Sequence, residues 1–214
     1  MAQENCPWTE CQLQQEGIYR SVCEHLGFTG ETAPRLFPSV TALVYEGKKK
    51  VENRPISSKQ DLETYERSAV EDFVRDIVTE LCKIPAAQDE FHLGNGVQFD
   101  NHANSLESQS NQPSRSGSSR PDQFCIHRVD DGAKSLLATV EYKPPHKLPV
   151  GSLRNGLRSM DFWEKVAKAR TVPTTEEEKS ERLTGAVIAQ EFDVMIQEGL
   201  EYSYVTNGLA LVLL

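Results

Sequence analysis

The sequence predicts an α/β protein in which helices flank a mixed central sheet, preceded by a loosely ordered N-terminal region. Three observations predict this fold class. Apolar residues recur at helical spacing from Leu62 to Leu81, two strand patterns flank a turn at residues 130–132, and a second helical pattern leads into a hairpin at Asn207-Gly208. Alternation of helical and strand patterns along one chain is typical of α/β architecture.

The first 55 residues give weak patterns, and we expect this N-terminal region to be partly helical and weakly ordered. Residues Glu10 to Leu26 have the apolar spacing of one amphipathic helix. The stretch from Gly27 to Ser58 is rich in turn formers, which predicts mostly loop with one short strand at Thr41 to Tyr45. The main domain is therefore expected over residues 56–214.

A strong helix pattern opens this domain. Ser57 or Ser58 is a suitable N-cap, and apolar positions continue to Cys82, with Pro85 just beyond the end. A short strand is predicted next, from Gly94 to Phe99.

Two segments have special composition. Residues 104–120 are rich in Ser, Gln, Asn and Gly, which predicts a disordered loop inside the domain because there is little to bury. The chain ends on the apolar run LALVLL, a kind of strand that is normally covered by further structure. We therefore expect a domain that is truncated at its C-terminus.

The second half of the domain alternates again between helix and strand. Helices are predicted from Leu153 to Ala169 and from about Ser180 to Gln197, and Gly199 ends the second one. The charged connector before the second helix contains a pattern typical of a capped helix start, at Thr174–Glu178. Strands are predicted on both sides of Asn207-Gly208, which is the strongest short hairpin signal in the chain.

The hairpin between residues 123 and 142 carries the candidate chemistry. Its strands are predicted at Gln123–Val129 and Leu136–Tyr142, with Asp131-Gly132 as the two central turn residues. With that turn, Asp122 lies directly opposite Glu141, and their Cβ atoms are roughly 5 Å apart. A turn one residue longer or shorter would move Asp122 to the other sheet face.

Like charges that face each other across a hairpin repel, and a divalent cation between them removes the repulsion. Mg²⁺ prefers one or two carboxylates together with water and substrate phosphate, so Asp122 and Glu141 are candidate ligands of Mg²⁺ or Mn²⁺. By strand alternation, Lys143 projects from the same face as Glu141. Its ammonium is suited to orient a water or to neutralise charge on a phosphorane. The alternative is a purely structural Glu141–Lys143 ion pair.

One pattern resembles the PD-(D/E)XK motif of the restriction-endonuclease-like nuclease superfamily: Pro121-Asp122 is followed, after eighteen residues, by Glu141-Tyr142-Lys143. The predicted order of elements is similar to the core of that superfamily: a helix, a strand, a strand with the Asp, a strand with Glu-x-Lys, a helix and a strand. The segments PDQFCIHR, VEYKPPHKL and GAVIAQEFDVMIQEGLEYSYVTNG resemble a poorly characterised fungal family, in which such a domain precedes a protein-kinase-like domain. The resemblance covers residues 52–214.

The resemblance implies a Mg²⁺-dependent endonuclease that hydrolyses phosphodiester bonds of DNA, with Asp122 and Glu141 as metal ligands and Lys143 as the catalytic lysine. In many members a glutamate on the first helix also approaches the metal. Glu71 matches that position although it faces away from the apolar stripe, whereas Glu66 lies within the stripe, so both remain candidates. Gln190 resembles a polar residue that some members place at the site, and its alternative is a hydrogen-bonded buried amide.

A second function remains open: a non-catalytic module with the same fold that binds or regulates a downstream kinase-like domain. Many nucleases of this superfamily act as dimers, so the resemblance also suggests a homodimer. Metal binding distinguishes the enzyme from the module, because the enzyme requires a functional carboxylate pair.

The charge distribution bears on partners. The net charge is −9, which argues against a general nucleic-acid-coating protein, since such proteins are basic. Residues 143–170 are an exception with a local charge of +5, since seven cations outnumber Asp161 and Glu164. The cations are Lys143, Lys147, Arg154, Arg158, Lys165, Lys168 and Arg170. We expect this basic strip to meet DNA phosphates, with an ordinary solvated helix face as the alternative.

The composition also indicates a compartment. Five cysteines at irregular spacing argue against a disulfide framework. The sequence contains no run of 18 apolar residues, so no membrane span is predicted. We therefore expect an intracellular protein, cytoplasmic or nuclear, with no membrane partner.

Overall fold

The structure is a computed structural model that describes residues 8–27, 36, 39–53, 55–101, 120–129, 132–158, 161, 163–168 and 172–214. The loop predicted at residues 104–120 lies outside these ranges except for Arg120. Parts of the N-terminal region for which weak order was predicted, residues 1–7, 28–35, 37–38 and 54, also lie outside them.

A mixed five-stranded sheet forms the centre of the described residues. Its strands lie side by side in chain order: β1 (Val97–Asp100), β2 (Gln123–Arg128), β3 (Lys134–Tyr142), β4 (Tyr202–Thr206) and β5 (Leu211–Leu213). Strands β3 and β4 are parallel, and the other neighbouring pairs are antiparallel. With helices on both faces, the chain has the predicted α/β class.

The helices with described bounds are α1 (Trp8–Leu26), α2 (Val40–Asn53), α3 (Lys59–Glu66), α4 (Asp72–Leu81), α5 (Pro85–Phe91), α6 (Val150–Gly156) and α7 (Glu176–Glu198). A π-helical turn at Arg67–Glu71 joins α3 to α4, so the three form one continuous helical segment. A second π-helical turn lies at Trp163–Ala167.

The two layers of helices pack on opposite sheet faces. On one face, Leu62 of α3 packs against Tyr142 of β3, and both side chains are buried. On the other face, Val187 of α7 packs against Val205 of β4. Because alternate residues of a strand point to opposite faces, Glu141 points towards α7, while its neighbour Tyr142 points towards α3.

The β2–β3 hairpin reaches the predicted register by an unpredicted route. The Val129 N–H donates to the Ala133 carbonyl (2.8 Å), which leaves three residues in the turn rather than the predicted two. A β-bulge between Cys125 and Ile126 absorbs the extra residue. Beyond the bulge, Gln123 pairs with Val140 in the register that the two-residue turn predicted. Asp122 is thereby kept on the face of Glu141.

Several predicted boundaries are confirmed. Ser58 caps α3 and accepts a hydrogen bond from the Asp61 N–H (3.1 Å). The capped start predicted at Thr174–Glu178 is a capping box of Thr175 and Glu178, and α7 begins there at Glu176, four residues before Ser180. Gly199 ends that helix in the left-handed conformation, with φ 68°.

The strand predicted at Thr41 to Tyr45 is wrong, because these residues belong to helix α2. Within the described ranges, no strand pairs with this segment, and Val44 is 58% exposed and Tyr45 is 65% exposed. The lysine-rich segment that follows consists of good helix formers, and the helix extends through both.

The single helix predicted from Leu153 to Ala169 is also wrong. Helix α6 ends at Gly156, and Leu157 leaves helical geometry with φ −86° and ψ 11°. Gly156 lies so close to α7 that a Cβ atom there would be 2.5 Å from the Thr184 side chain. The basic residues of this segment therefore do not share one helix face.

Candidate functional site

The ends of β2 and β3 bring Asp122 and Glu141 together. Asp122 directly precedes β2, and its N–H donates to the Val140 carbonyl (3.1 Å). The Tyr142 N–H in turn donates to Asp122 Oδ2 (2.8 Å). These two bonds lie on either side of Glu141 along β3, so Asp122 extends the hairpin and lies opposite Glu141.

Glu141 is the centre of a polar cluster that also includes Lys143 and Gln190. Lys143 Nζ lies 2.5 Å from Glu141 Oε1 and 3.1 Å from Gln190 Oε1. Gln190 on α7 closes the triangle by donating from Nε2 to Glu141 Oε1 (3.2 Å). The amide that was expected to point inward from α7 thus contacts both charged residues.

Burial governs the electrostatics of Glu141. The residue is 1% exposed, and this burial raises the pKa of its carboxyl above the ordinary glutamate value. The Lys143 ammonium opposes that rise in pKa, and the negative charge of Asp122 adds to it. Glu141 Oε2 is buried and has no hydrogen-bond partner within the described residues. This oxygen is therefore open to a ligand.

Lys59 completes the cluster from the start of α3. Its ammonium forms an ion pair with Asp122 Oδ1 and lies 4.0 Å from Glu141 Oε1. The Lys59 side chain is 48% exposed, whereas the Asp122 side chain is 12% exposed. The sequence reasoning missed this residue. One signal was present: a lysine in the first turn of a helix opposes the helix dipole, so a nearby anion is needed to compensate.

Glu71, one of the two candidates for a third metal ligand, does not join this cluster. Its carboxylate accepts hydrogen bonds from the Tyr142 hydroxyl and from Gln123 Nε2 (3.0 Å), on the sheet face opposite Glu141. Glu66 lies on that same face and accepts a hydrogen bond from Thr206 Oγ1 (2.9 Å). The helical segment that carries Glu66 and Glu71 therefore supplies a separate carboxylate cluster. It does not supply a third metal ligand beside Asp122 and Glu141.

The π-helical turn explains why helical phase misplaced Glu71. In a regular α-helix, residues five apart are about 140° apart around the axis. Residues 66 and 71 are joined by the π turn, in which the Asp72 N–H bonds to the Arg67 carbonyl. The i to i+5 bonding of such a turn aligns residues five apart. Both Glu66 and Glu71 are consequently 3% exposed and face the sheet.

Another buried carboxylate, Glu191, lies beside the site on the α7 side. It accepts hydrogen bonds from Thr139 Oγ1 (2.6 Å) and from Ser203 Oγ, and both partners are buried. These contacts tie α7 to β3 and β4 directly below Glu141. They hold the helix that carries Gln190 at a fixed distance from the sheet.

The donor set suits a small divalent cation bound by two carboxylates. Asp122 accepts from the Tyr142 N–H with Oδ2 and pairs with Lys59 through Oδ1, and Glu141 uses Oε1 for Lys143 and Gln190, which leaves Oε2. Mg²⁺ commonly takes one or two protein carboxylates and completes its shell with water and phosphate. In the described part of the chain, no group of three or more His, Cys, Asp or Glu side chains is placed to hold a metal ion.

Residues 84–214 match the family model described as Spore killer 2 N-terminal domain. The chain belongs to this family. The match includes Asp122, Glu141, Lys143 and Gln190, whereas Lys59 and Glu71 precede it. No solved structure matches the chain.

The basic strip of residues 143–170 is partly neutralised. Arg158 Nη1 pairs with Glu177 (3.2 Å), and Lys168 Nζ pairs with Glu164 (2.9 Å). Lys147 and Arg154 are exposed, and the side chains of Lys165 and Arg170 lie outside the described residues. Among the described helices, none is both long enough and apolar enough to cross a membrane.

Proposed function

We propose that this chain is a Mg²⁺-dependent endonuclease with a restriction-endonuclease-like core, which hydrolyses phosphodiester bonds of DNA. One observation carries the proposal: Asp122, Glu141 and Lys143 converge at the ends of β2 and β3, and one buried Glu141 oxygen has no hydrogen-bond partner among the described residues. The order of elements, with a helix before β1 to β3 and α7 between β3 and β4, supports the same core.

The residues of the site divide the work of phosphodiester hydrolysis. When bound, a divalent cation supplies Lewis acidity that polarises the phosphodiester and activates water. The Tyr142 N–H orients Asp122, whose Oδ1 pairs with Lys59, and Gln190 fixes Glu141, so the oxygens that would hold a cation, Asp122 Oδ1 and Glu141 Oε2, are preorganised. Lys143 presents an ammonium that neutralises charge developing on the phosphate. Gln190 holds that ammonium at 3.1 Å and keeps it aligned with Glu141.

Lys147 and Arg154 are suited to bind the DNA backbone. Both are exposed, and both follow Lys143 along the chain. Cations that bind phosphate in this way make the affinity depend on salt rather than on base sequence. The overall negative charge of the chain limits contact to this part of the surface.

The test is cleavage of supercoiled plasmid, linear duplex and single-stranded DNA, with Mg²⁺ or with EDTA. Wild-type protein should cut only with Mg²⁺, and Glu141→Gln should abolish cutting. Lys143→Met should lower the rate by about 10²–10³-fold while metal binding persists. Lys83→Met removes the same charge from an exposed pair with Glu80 (2.8 Å) and should cut at the wild-type rate. Wild-type protein that leaves all three DNAs intact would rule out the endonuclease.

One observation favours a second function, a non-catalytic module that binds or regulates a kinase-like partner. Lys59 forms an ion pair with Asp122, so the chain itself supplies a cation that compensates this carboxylate. A module of this kind predicts that neither Mg²⁺ nor Mn²⁺ binds at the carboxylates. Calorimetric titration with Mn²⁺ therefore separates the two functions before any DNA is added.

A further inference from the structure

Two lysines approach the carboxylate pair, and they are held differently. Lys143 is 19% exposed and has two partners, Glu141 and Gln190. Lys59 is 48% exposed, and within the described residues its ammonium contacts only Asp122 and Glu141. One lysine is thus built into the site, and the other reaches it from solvent on a flexible side chain.

We infer that Lys59 is an internal counter-ion that occupies the cation position between Asp122 and Glu141 in the metal-free protein and leaves when a divalent cation binds. The inference rests on the proposed metal site and adds a competitor for it. Lys59 thereby sets the metal concentration at which the site fills.

The oxygen that Lys59 contacts is the one that a cation would use. The Tyr142 N–H fixes Asp122 Oδ2 at 2.8 Å, so Oδ1 is the atom left for a ligand, and Lys59 pairs with Oδ1. The ammonium also lies 4.0 Å from Glu141 Oε1, so its charge is close to both carboxylates. A metal ion and this ammonium cannot both occupy that position, because like charges at such a distance repel.

The location of Lys59 in its helix favours movement of its ammonium away from the carboxylates when a cation binds. Lys59 is the first residue of α3, where the positive end of the helix dipole disfavours a cation. The carboxylates compensate for this while they lack a metal. Once a divalent cation neutralises them, the helix dipole and the solvent both favour an ammonium that points outward.

Competition between Lys59 and a metal ion lowers the apparent metal affinity in proportion to the fraction of molecules whose site is free.

Calorimetric titration of Mn²⁺ into purified wild-type, Lys59→Met, Lys179→Met and Glu141→Gln proteins measures this apparent affinity. Lys179 is the matched control, since its side chain is 52% exposed and pairs with Glu176 (2.6 Å). We expect Lys59→Met to bind Mn²⁺ about tenfold more tightly than wild type, Lys179→Met to match wild type, and Glu141→Gln to lose binding.

Labelling of the wild-type protein tests displacement without any substitution. Brief treatment with an amine-acylating reagent, followed by peptide mass spectrometry, reports the access to each lysine. Lys59 should acylate slowly in EDTA and faster when Mn²⁺ saturates the site, while Lys179 changes little. A Lys59 rate that is the same with and without Mn²⁺ would show that the ammonium does not move.

The outcomes distinguish this inference from the proposed function. If wild-type and Lys59→Met bind Mn²⁺ equally and Glu141→Gln loses binding, the metal site stands and the competitor is rejected. Weaker binding by Lys59→Met would also reject it, because Lys59 would then support the ligands. If no protein binds Mn²⁺, the metal site and its competitor fail together.

Discussion

Glu66 and Glu71 are both buried against the same sheet face although five residues separate them. Burial raises the pKa of both carboxyls above the ordinary glutamate value, and each hydrogen bond that they accept only partly offsets this rise. The negative charge of Glu71 raises the pKa of Glu66 further. In the nearby Tyr142 and Tyr204, burial and the same two charges raise the pKa of the phenols.

The raised pKa values of these two glutamates predict that the stability of the protein falls as the pH rises. Because both pKa values are raised in the folded protein, it binds more protons than the unfolded chain between the ordinary glutamate pKa and the folded values. Their contribution to stability is fully present below the ordinary pKa and is lost as the pH rises through the folded values. We expect Glu66→Gln to raise the thermal midpoint at pH 8 by roughly 2–4 °C, equivalent to about 1 kcal/mol for a chain of this size.

The difference between Glu66→Gln and wild type should disappear at low pH, where Glu66 is protonated in both the folded and unfolded states. The glutamine can still accept the hydrogen bond from Thr206. Glu16→Gln, at an exposed position of α1, is the control and should follow the wild-type curve. A Glu66→Gln protein that is less stable than wild type at pH 8 would contradict the prediction.

Lys143 and Glu141 predict a second, asymmetric effect on stability. Lys143→Met leaves the buried Glu141 charge without its strongest partner, which costs about 3 kcal/mol. Glu141→Gln should cost less, because Lys143 keeps Gln190 and some solvent. The double variant should be about as stable as Glu141→Gln alone. Urea unfolding in EDTA measures all three, with Lys179→Met expected within about 0.5 kcal/mol of wild type. Additive single effects would show that the pair is not coupled.

The sequence was sufficient to predict the part of the site that lies on one hairpin. Strand alternation determines that Glu141 and Lys143 share a face, and the hairpin register places Asp122 opposite Glu141. The turn was nevertheless one residue longer than predicted. The prediction held because a bulge at Cys125 and Ile126 restored the register, and no simple sequence pattern reveals such a bulge.

The parts of the site that come from other elements could not be predicted in this way. Glu71 depends on a π turn, whose residues have no distinctive propensity and whose effect is to rotate every later position of the helix. Lys59 depends on where the start of α3 docks against β2 and β3, which is a tertiary relationship. Periodicity describes each element alone, so it cannot place one helix end against two strand ends.

Cys125 offers a reporter of the second carboxylate cluster. Burial, with a smaller contribution from the charge of Glu71, raises the pKa of this free thiol to about 11. Since only the thiolate reacts, iodoacetamide should modify Cys125 slowly at pH 8 and about tenfold faster per pH unit up to pH 9.5. Glu71→Gln should speed the reaction by removing the nearby charge. Peptide mass spectrometry measures the rate, with Cys11 as the internal reference. Equal rates for Cys125 and Cys11 at pH 8 would contradict the assignment.

The packing of α6 against α7 gives the last prediction. A methyl group at Gly156 would lie 2.5 Å from the Thr184 side chain and 2.6 Å from the Ser180 carbonyl oxygen. The carbonyl cannot move without disturbing α7, so Gly156→Ala should destabilise the protein by about 1–3 kcal/mol. Gly151, in the same helix, has no atom within 4 Å of such a methyl group. Gly151→Ala should therefore be neutral or stabilising by up to about 1 kcal/mol.

A second substitution tests whether the clash with the Thr184 side chain causes the loss of stability in Gly156→Ala. Thr184→Ala removes one of the two clashes, together with the hydrogen bond from Thr184 Oγ1 to the Ser152 carbonyl (3.0 Å). The double variant Gly156→Ala/Thr184→Ala should be more stable than the sum of the single effects predicts, because the methyl group gains room. Recovery should be incomplete, since the Ser180 carbonyl remains in place. Urea unfolding of the four proteins gives the coupling directly. Similar stabilities for Gly156→Ala and Gly151→Ala would mean that α6 shifts against α7 without cost, which would contradict the prediction.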